Sequence, residues 1–111
     1  LMTHPDTSII RAWQGHRIEE KAFYALNGSF TIAVVKPGDF LNPADDEVPE
    51  FFNLSAENRS FLRVPGGCFT GIKATTAGAT LLVLSGLDFI GSKEDDYRQP
   101  QERWVDWETI S

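Results

Sequence analysis

The sequence predicts an all-β domain, because its β-rich segments are short, evenly spaced and separated by turn residues. The dipeptide Asn27-Gly28 lies between two β-rich runs and supplies the positive backbone angles of a tight hairpin turn. Later segments are separated by the Pro-Gly-Gly run at 65–67 and by Gly78, as in a sandwich or barrel. No segment shows a long helical period. The 111 residues suffice for one domain, over 1–111, with one core.

The predicted strands follow one another along the chain. The run 7–13 is rich in β-branched and aromatic residues, which favours a strand. In the run 29–35 both faces are largely apolar, so this strand should be covered on both sides. Three prolines and four acidic residues make 37–49 an exposed connection. Further strands are predicted over 21–26, 50–55, 60–65, 68–74 and 79–86.

The two ends of the chain differ in composition from the predicted strands. Residues 1–6 are predicted to be a disordered leader, in which His4 has no role. The tail 88–111 is charged but contains Tyr97, Trp104 and Trp107. Aromatic residues at this density predict that the tail packs on the barrel or on a second subunit.

Charge and cysteine content exclude several classes of function. A net charge of -6 argues against binding to nucleic acid or to anionic membranes, which requires a basic face. No apolar run approaches the roughly 20 residues of a membrane span, and the N-terminus does not resemble a signal peptide. Cys68 has no cysteine partner in the chain and is expected to be a buried apolar side chain. A cytoplasmic protein is therefore expected.

Two groups of residues reproduce the spacing of the metal-binding motifs of cupins. Those motifs place two His one residue apart, then a Glu and a Gly, and later a Pro-x-Gly followed by a third His. In this chain Gln14 and His16 occupy the paired His positions, and Lys21 occupies the Glu position. Thr70 occupies the last His position, after Pro65 and Gly67. The resemblance implies a cupin fold, which is a jelly-roll (double-stranded β-helix) barrel.

The same positions argue against a bound metal. Only His16 keeps a usual ligand side chain, whereas a zinc or transition-metal site needs three or four donors. An ammonium at Lys21 would repel a divalent cation and attract a phosphate or a developing oxyanion. The sequence therefore predicts that the pocket holds no metal, and it indicates no other cofactor.

A narrower resemblance covers nearly the whole chain. The runs 11–30, 63–74 and 81–86, together with Tyr97-Arg98 and Trp104, are similar to the metal-independent nucleotide-sugar cupins. These are the dTDP-4-dehydrorhamnose 3,5-epimerases and the dTDP-sugar 3,4-ketoisomerases. The resemblance implies a homodimeric enzyme of surface polysaccharide synthesis. Its substrate would be a dTDP-linked 4-keto-6-deoxyhexose, and the reaction would move protons on the carbons next to the ketone.

The resemblance assigns catalytic roles to two residues and a binding role to a third. His16 matches the second His of the ketoisomerase motif and would act as the general base, since imidazole titrates near neutrality. Lys21 matches the lysine that stabilises an enolate, and Arg11 matches an arginine that reaches a diphosphate or sugar oxygen. On a regular strand Arg11 would face away from His16 unless a bulge intervenes.

Four further residues complete the predicted substrate-binding set. Gln14 cannot be a base, because a carboxamide does not titrate in range, but it could orient a hydroxyl or carbonyl oxygen. Thr70 leaves His16 without the support of a third histidine. Tyr24 is predicted either as a second acid or as a core aromatic residue. Tyr97 either closes the pocket or packs the tail.

The sequence is also compatible with two functions other than that of an enzyme. Histidines are missing at positions 14 and 70, which favours a cupin that kept its pocket but lost turnover. Such a protein would bind a nucleotide sugar or carbohydrate, or act as a regulatory module. A further alternative is an interaction module whose aromatic tail pairs subunits while the pocket is vestigial.

Overall fold

The computed structural model describes residues 1–86 and 95–110. Within these ranges the chain forms β-strands and one short 3-10 helix, and no helix has the length and apolar character needed to cross a membrane. The strands are β1 (Met2–His4), β2 (Ile10–His16), β3 (Lys21–Asn27), β4 (Ser29–Val35), β5 (Glu50–Ser55), β6 (Phe61–Val64), β7 (Cys68–Ala74), β8 (Ala79–Ser85) and β9 (Tyr97–Arg98); the helix is Trp107–Thr109.

The strands form two antiparallel sheets that pack face to face. The first sheet has the order β1-β8-β3-β6, and the second has the order β5-β4-β7-β2-β9. In the described residues no ladder joins the two sheets, so the structure is a jelly-roll sandwich and not a closed barrel. The all-β prediction is confirmed. The core between the sheets is built mainly from Phe23, Phe30, Ile32, Leu54, Ile72 and Leu81.

The turn at Asn27-Gly28 was predicted as a hairpin, and this prediction is wrong. β3 and β4 lie in different sheets and do not pair with each other, so the turn carries the chain across the sandwich. Gly28 has φ +70, and a Cβ atom there would lie 2.4 Å from Thr76 Oγ1. The positive backbone angle at Gly28 was therefore predicted correctly. The pairing of β4 with β3, which a hairpin would require, was not.

β4 is buried on both of its faces, as the sequence predicts. Phe30 and Ile32 belong to the core between the sheets, whereas Ala33 and Val35 belong to a second cluster on the outer face of the second sheet. The described part of the tail packs over this outer cluster. Its aromatic rings contact Trp13, which is 1% exposed.

The tail tryptophans pack on their own chain. The Trp104 and Trp107 rings lie 5.3 and 5.6 Å from the Trp13 ring, and Trp107 covers Gly71 so closely that a Cβ there would be 2.5 Å from its ring. Residues 88–94 of the predicted tail lie outside the described residues. Trp104 and Trp107 therefore do not provide the free apolar surface that the sequence suggested for a second subunit.

The N-terminal segment is ordered at residues 2–4, contrary to the predicted leader. β1 pairs with β8 through Met2↔Leu81 and His4↔Ala79. The ladder satisfies the backbone groups of this segment, and its pairing with β8 buries His4 completely. His4 therefore has a place in the fold that the sequence did not predict.

Candidate active site

An irregularity in β2 decides which side chains face the space between the sheets. Arg11 pairs with Ile72 and Gln14 with Thr70, so the register of β2 on β7 shifts by one residue between them. This bulge places Arg11 on the same inner face as Gln14 and His16. Arg11 can therefore belong to the same site as His16, which a regular strand would have prevented.

Three of the predicted substrate-binding residues line one cavity of about 400 Å³. Arg11, Gln14 and Thr70 lie on its walls together with Arg98 of β9, while Met2 and Ile72 supply apolar surface. A volume of this size lies within the usual range of small-molecule sites. Two guanidinium groups make the cavity suited to an anionic or strongly polar ligand.

Asp96 lies beside this cavity and partly neutralises Arg98. Its carboxylate accepts hydrogen bonds from Arg98 Nε at 2.9 Å and from Gln14 Nε2 at 3.4 Å. Burial would raise the pKa of Asp96, but the hydrogen bonds and the charge of Arg98 outweigh it and lower the pKa. Asp96 thus remains charged and holds both side chains in place.

His16 is buried and is held through one nitrogen of its ring. Nδ1 lies 2.7 Å from the backbone oxygen of Asp95 and 2.9 Å from Glu19 Oε2. Both partners are acceptors when Glu19 is ionised, so Nδ1 carries the proton and donates it. Nε2 is buried and has no hydrogen-bond partner in the described part of the chain. A neutral His16 therefore presents the lone pair of Nε2.

Glu19 connects His16 to Lys21. Its side chain is fully buried, and while Oε2 contacts His16, Oε1 lies 3.4 Å from Lys21 Nζ. The Lys21 side chain is 15% exposed and lines a second cavity of about 410 Å³ with Glu19 and Ser85. The two predicted catalytic residues thus lie on either side of one carboxylate, and we call His16, Glu19 and Lys21 the buried triad.

The buried triad and the Arg11 cavity are adjacent but distinct. They share no lining residue, yet His16 and Gln14 lie two residues apart on the same face of β2, roughly 7 Å along the strand. The segment that leads into β9 touches both groups, because Asp95 contacts His16 and Asp96 contacts Gln14.

Asp95 fixes the turn that contains Glu19. Its buried carboxylate accepts the backbone N–H groups of Arg17, Ile18 and Glu19 at 2.9, 2.9 and 2.8 Å. Burial opposes ionisation, but these three hydrogen bonds outweigh it and lower the pKa of Asp95. The turn between β2 and β3 is thereby held in the geometry that directs Glu19 inward.

Asp95→Asn is expected to lower the free energy of unfolding by about 2 to 3 kcal/mol, because an amide cannot accept all three N–H groups and brings its own donors toward them. Urea denaturation followed by circular dichroism measures this change. Asp46→Asn, in the exposed 37–49 connection, is the matched control and should change the free energy by less than about 0.5 kcal/mol. Equal stability of the two variants would contradict the structural role of Asp95.

His16, Glu19 and Asp95 form a cluster of possible metal ligands. One donor atom from each lies within 4.8 Å of the others. However, both oxygens of Asp95 accept backbone hydrogen bonds, and Nδ1 of His16 donates. The ammonium of Lys21 adds a positive charge to the same group. These residues therefore do not fit a divalent cation.

Tyr24 and Tyr97 lie on the outer faces of the two sheets, apart from the Arg11 cavity and the buried triad. Tyr24 follows the inward-facing Phe23, so it points to the outer face of the first sheet, where its ring packs on Phe61 at 5.1 Å. Tyr97 belongs to the outer cluster of the second sheet and meets Phe40 at 5.0 Å. In β9 it is Arg98 that lines the cavity.

Sequence reasoning missed three residues that form or contact these groups: Glu19, Asp95 and Asp96. It also missed His4, whose ring accepts a hydrogen bond from Arg11. Glu19 had a usable signal, since it lies three residues after His16 and two before Lys21. The two aspartates had none, because Asp95 reaches the turn at 17–19 across a separation of 76 to 78 residues.

Solved structures of sugar-nucleotide isomerases and epimerases share this fold. QdtA, a sugar 3,4-ketoisomerase from Thermoanaerobacterium thermosaccharolyticum in complex with TDP, is 22% identical, with a TM-score of 0.66 over 88% of this chain and 63% of that chain. A dTDP sugar isomerase from Desulfovibrio desulfuricans G20 is 16% identical, with a TM-score of 0.75 over 99% of this chain and 70% of that chain. The RmlC epimerase of Mycobacterium tuberculosis is 16% identical, with a TM-score of 0.78 over 96% of this chain and 54% of that chain.

These similarities establish the fold as that of the RmlC-like cupins, and the resemblance inferred from the sequence is confirmed at that level. The chain spans less than two thirds of the length of QdtA. No family model matches the sequence. No curated protein matches it either.

Proposed function

We propose that this protein is a metal-free cytoplasmic cupin that binds a dTDP-linked 4-keto-6-deoxyhexose and epimerises or isomerises it during surface polysaccharide synthesis. One observation carries the proposal: His16 is held at Nδ1 by two acceptors, leaves Nε2 unpartnered in the described residues, and shares the Glu19 carboxylate with Lys21. The fold shared with dTDP-sugar isomerases, one of them in complex with TDP, supports the substrate class.

The proposed reaction begins with proton transfer to His16. Nε2 takes a proton from a carbon next to the ketone, and the electron pair of the broken C–H bond forms an enediolate. The ammonium of Lys21 stabilises the negative oxygen, while Glu19 compensates the positive charge that the imidazole gains. Return of the proton to the opposite face of the same carbon gives an epimer. Its delivery to the former carbonyl carbon, with transfer of the hydroxyl proton, gives the isomeric ketone.

The proposed binding roles belong to the cavity. Arg11 binds the diphosphate or a sugar oxygen, since a guanidinium matches the geometry of phosphate. Gln14 orients a hydroxyl or carbonyl group. The hydroxyl of Thr70 donates to the backbone oxygen of Gln14 at 3.3 Å, so its oxygen remains available as an acceptor.

Incubation with dTDP-4-keto-6-deoxyglucose in deuterium oxide tests the proposal. Proton NMR should show loss of the signal from a carbon next to the ketone, faster than in a sample without protein, because the enediolate takes its proton from solvent. Calorimetric titration with dTDP measures binding independently. Binding of dTDP without deuterium uptake by the keto sugar would contradict the proposed enzymatic activity.

The alternative is a cupin that binds a nucleotide sugar or carbohydrate without turnover. It is favoured by Gln14 and Thr70, which face each other in register where the resemblance expects histidines. In the Arg11 cavity neither residue can act as a base. Gln14→His separates the two functions, because a lapsed scaffold should gain deuterium exchange whereas an enzyme adapted to Gln14 should not.

We also propose that two copies associate through the outer face of the first sheet. Phe61, Leu84 and Leu26 are 61%, 46% and 46% exposed there, beside Tyr24. Copies that each carry a net charge of -6 repel one another, so burial of the apolar side chains on this face would have to outweigh that repulsion.

Phe61→Glu is expected to shift a dimer to a monomer, because two carboxylates would be buried in a two-fold interface. Sedimentation at micromolar concentration measures the mass. Leu41→Glu is the control: Leu41 is 64% exposed but lies on a loop outside this face, and its replacement should leave the dimer intact. A monomeric wild-type protein would contradict the proposed dimer.

A further inference from the structure

The first strand contributes a buried histidine next to the Arg11 cavity. His4 is 0% exposed, and its ring meets the edge of Phe30 at a centroid distance of 5.3 Å. Its Nε2 accepts a hydrogen bond from Arg11 Nε at 3.1 Å. Nδ1 is buried and has no hydrogen-bond partner in the described residues. Because Nε2 accepts, it carries no proton, so the ring is neutral with its proton on Nδ1.

This contact determines how Arg11 can be used. The guanidinium donates its Nε–H to His4, and its two terminal Nη groups therefore remain for a ligand in the cavity. An arginine on a strand has several rotamers, and an acceptor at Nε selects among them before a ligand arrives. A preorganised guanidinium binds phosphoryl oxygens more tightly than a free one.

The charged groups that face His4 are few. Arg11 faces it from β2, and Asp6 interacts with it from the turn after β1. The contacts from β8 and β4 come from the uncharged residues Ala79 and Phe30. Protonation of His4 would therefore place a second positive charge directly against Arg11, with Asp6 as the nearby negative charge.

We propose that His4 is a positioning residue that makes Arg11 a receptor for phosphoryl oxygens, and that acid switches this receptor off. The proposal rests on the proposed function only in taking a phosphate group as the ligand. Once protonated, His4 cannot accept from Arg11 and repels it, so the guanidinium loses its support at the cavity wall.

The pKa of His4 is shifted in the direction that this switch requires. Burial, followed by the charge of Arg11, lowers the pKa of His4 from its ordinary value of 6.5. The ring is therefore neutral at neutral pH. Below 6.5 the unfolded chain binds this proton before the folded chain does, so this group makes stability fall as the pH falls through that window.

Titration with inorganic pyrophosphate tests the proposal without a nucleotide or sugar. At about pH 8, His4→Leu and Arg11→Met should each weaken binding by about tenfold, the value of one charge-assisted hydrogen bond. His4→Gln should restore most of the loss in His4→Leu, because its amide oxygen accepts from Arg11 and does not titrate. On acidification from about pH 8 through and below the ordinary histidine pKa of 6.5, wild-type affinity should fall further than that of His4→Gln. Protonation of pyrophosphate itself affects both proteins equally.

Unaltered binding by His4→Leu, equal pH dependence in wild type and His4→Gln, or no pyrophosphate binding at millimolar concentration would each overturn the proposal. If His4→Leu does not fold, the pH dependence of pyrophosphate binding by the wild type and by His4→Gln still tests the proposal. Pyrophosphate binding that depends on His4, without deuterium exchange in the keto sugar, would refute the proposed enzyme alone. Exchange without any effect of His4 would refute this inference alone.

Discussion

His16→Asn is expected to slow deuterium exchange into dTDP-4-keto-6-deoxyglucose by about a thousandfold, which is within the range for loss of a general base. Asparagine can occupy a similar volume and still donate toward Glu19, but it has no group that accepts a proton near neutral pH. The rate is measured by proton NMR in deuterium oxide.

The control for His16→Asn is the binding of dTDP by the same variant. Since Arg11 and Gln14, which line the cavity, are retained, the affinity for dTDP should remain within about threefold of wild type. Exchange by His16→Asn within tenfold of the wild-type rate would show that the base is another residue. Loss of both exchange and dTDP binding would mean that His16 shapes the binding site.

Glu19→Ala is expected to lower the free energy of unfolding by about 2 to 4 kcal/mol, because it leaves the partly buried Lys21 ammonium and the Nδ1–H of His16 without their shared carboxylate. Urea denaturation followed by tryptophan fluorescence measures the change. The wild-type carboxylate is fully buried and lies between both cationic or proton-donating partners.

The adjacent residue provides a matched control. Glu20 forms an ion pair with Arg63 in which the two side chains are 47% and 75% exposed. Glu20→Ala should therefore cost at most about 1 kcal/mol. Equal losses in Glu19→Ala and Glu20→Ala would mean that the Glu19 carboxylate is not the link within the buried triad.

The strand pattern could be predicted from the sequence, whereas the pairing of the strands could not. The two apolar faces of β4 correctly indicated burial on both sides. The turn at Asn27-Gly28 was located correctly, but a local turn signal does not show which sheet the next strand joins. The ordered β1 was missed because its stability comes from β8, about 77 residues away, and not from its own three residues.

The site could be predicted only in part, for a similar reason. Motif spacing identified His16 and Lys21, and the structure brings both to the carboxylate of Glu19. The bulge that turns Arg11 inward is a property of the pairing of β2 with β7, and alternation along a strand cannot reveal it. Tyr24 was predicted either as a second acid or as a core aromatic residue, and alternation with the inward-facing Phe23 places it on the outer face.

The protonation of the His16 ring is the property on which the proposed chemistry depends. Long-range proton–nitrogen NMR of the ligand-free protein, with assignment by His16→Asn, identifies which ring nitrogen carries the proton in the neutral form. The structure predicts a proton on Nδ1 and a bare Nε2, because Asp95 O and Glu19 Oε2 both accept at Nδ1. A proton on Nε2 would remove the lone pair that the proposed general base needs, and would contradict the account.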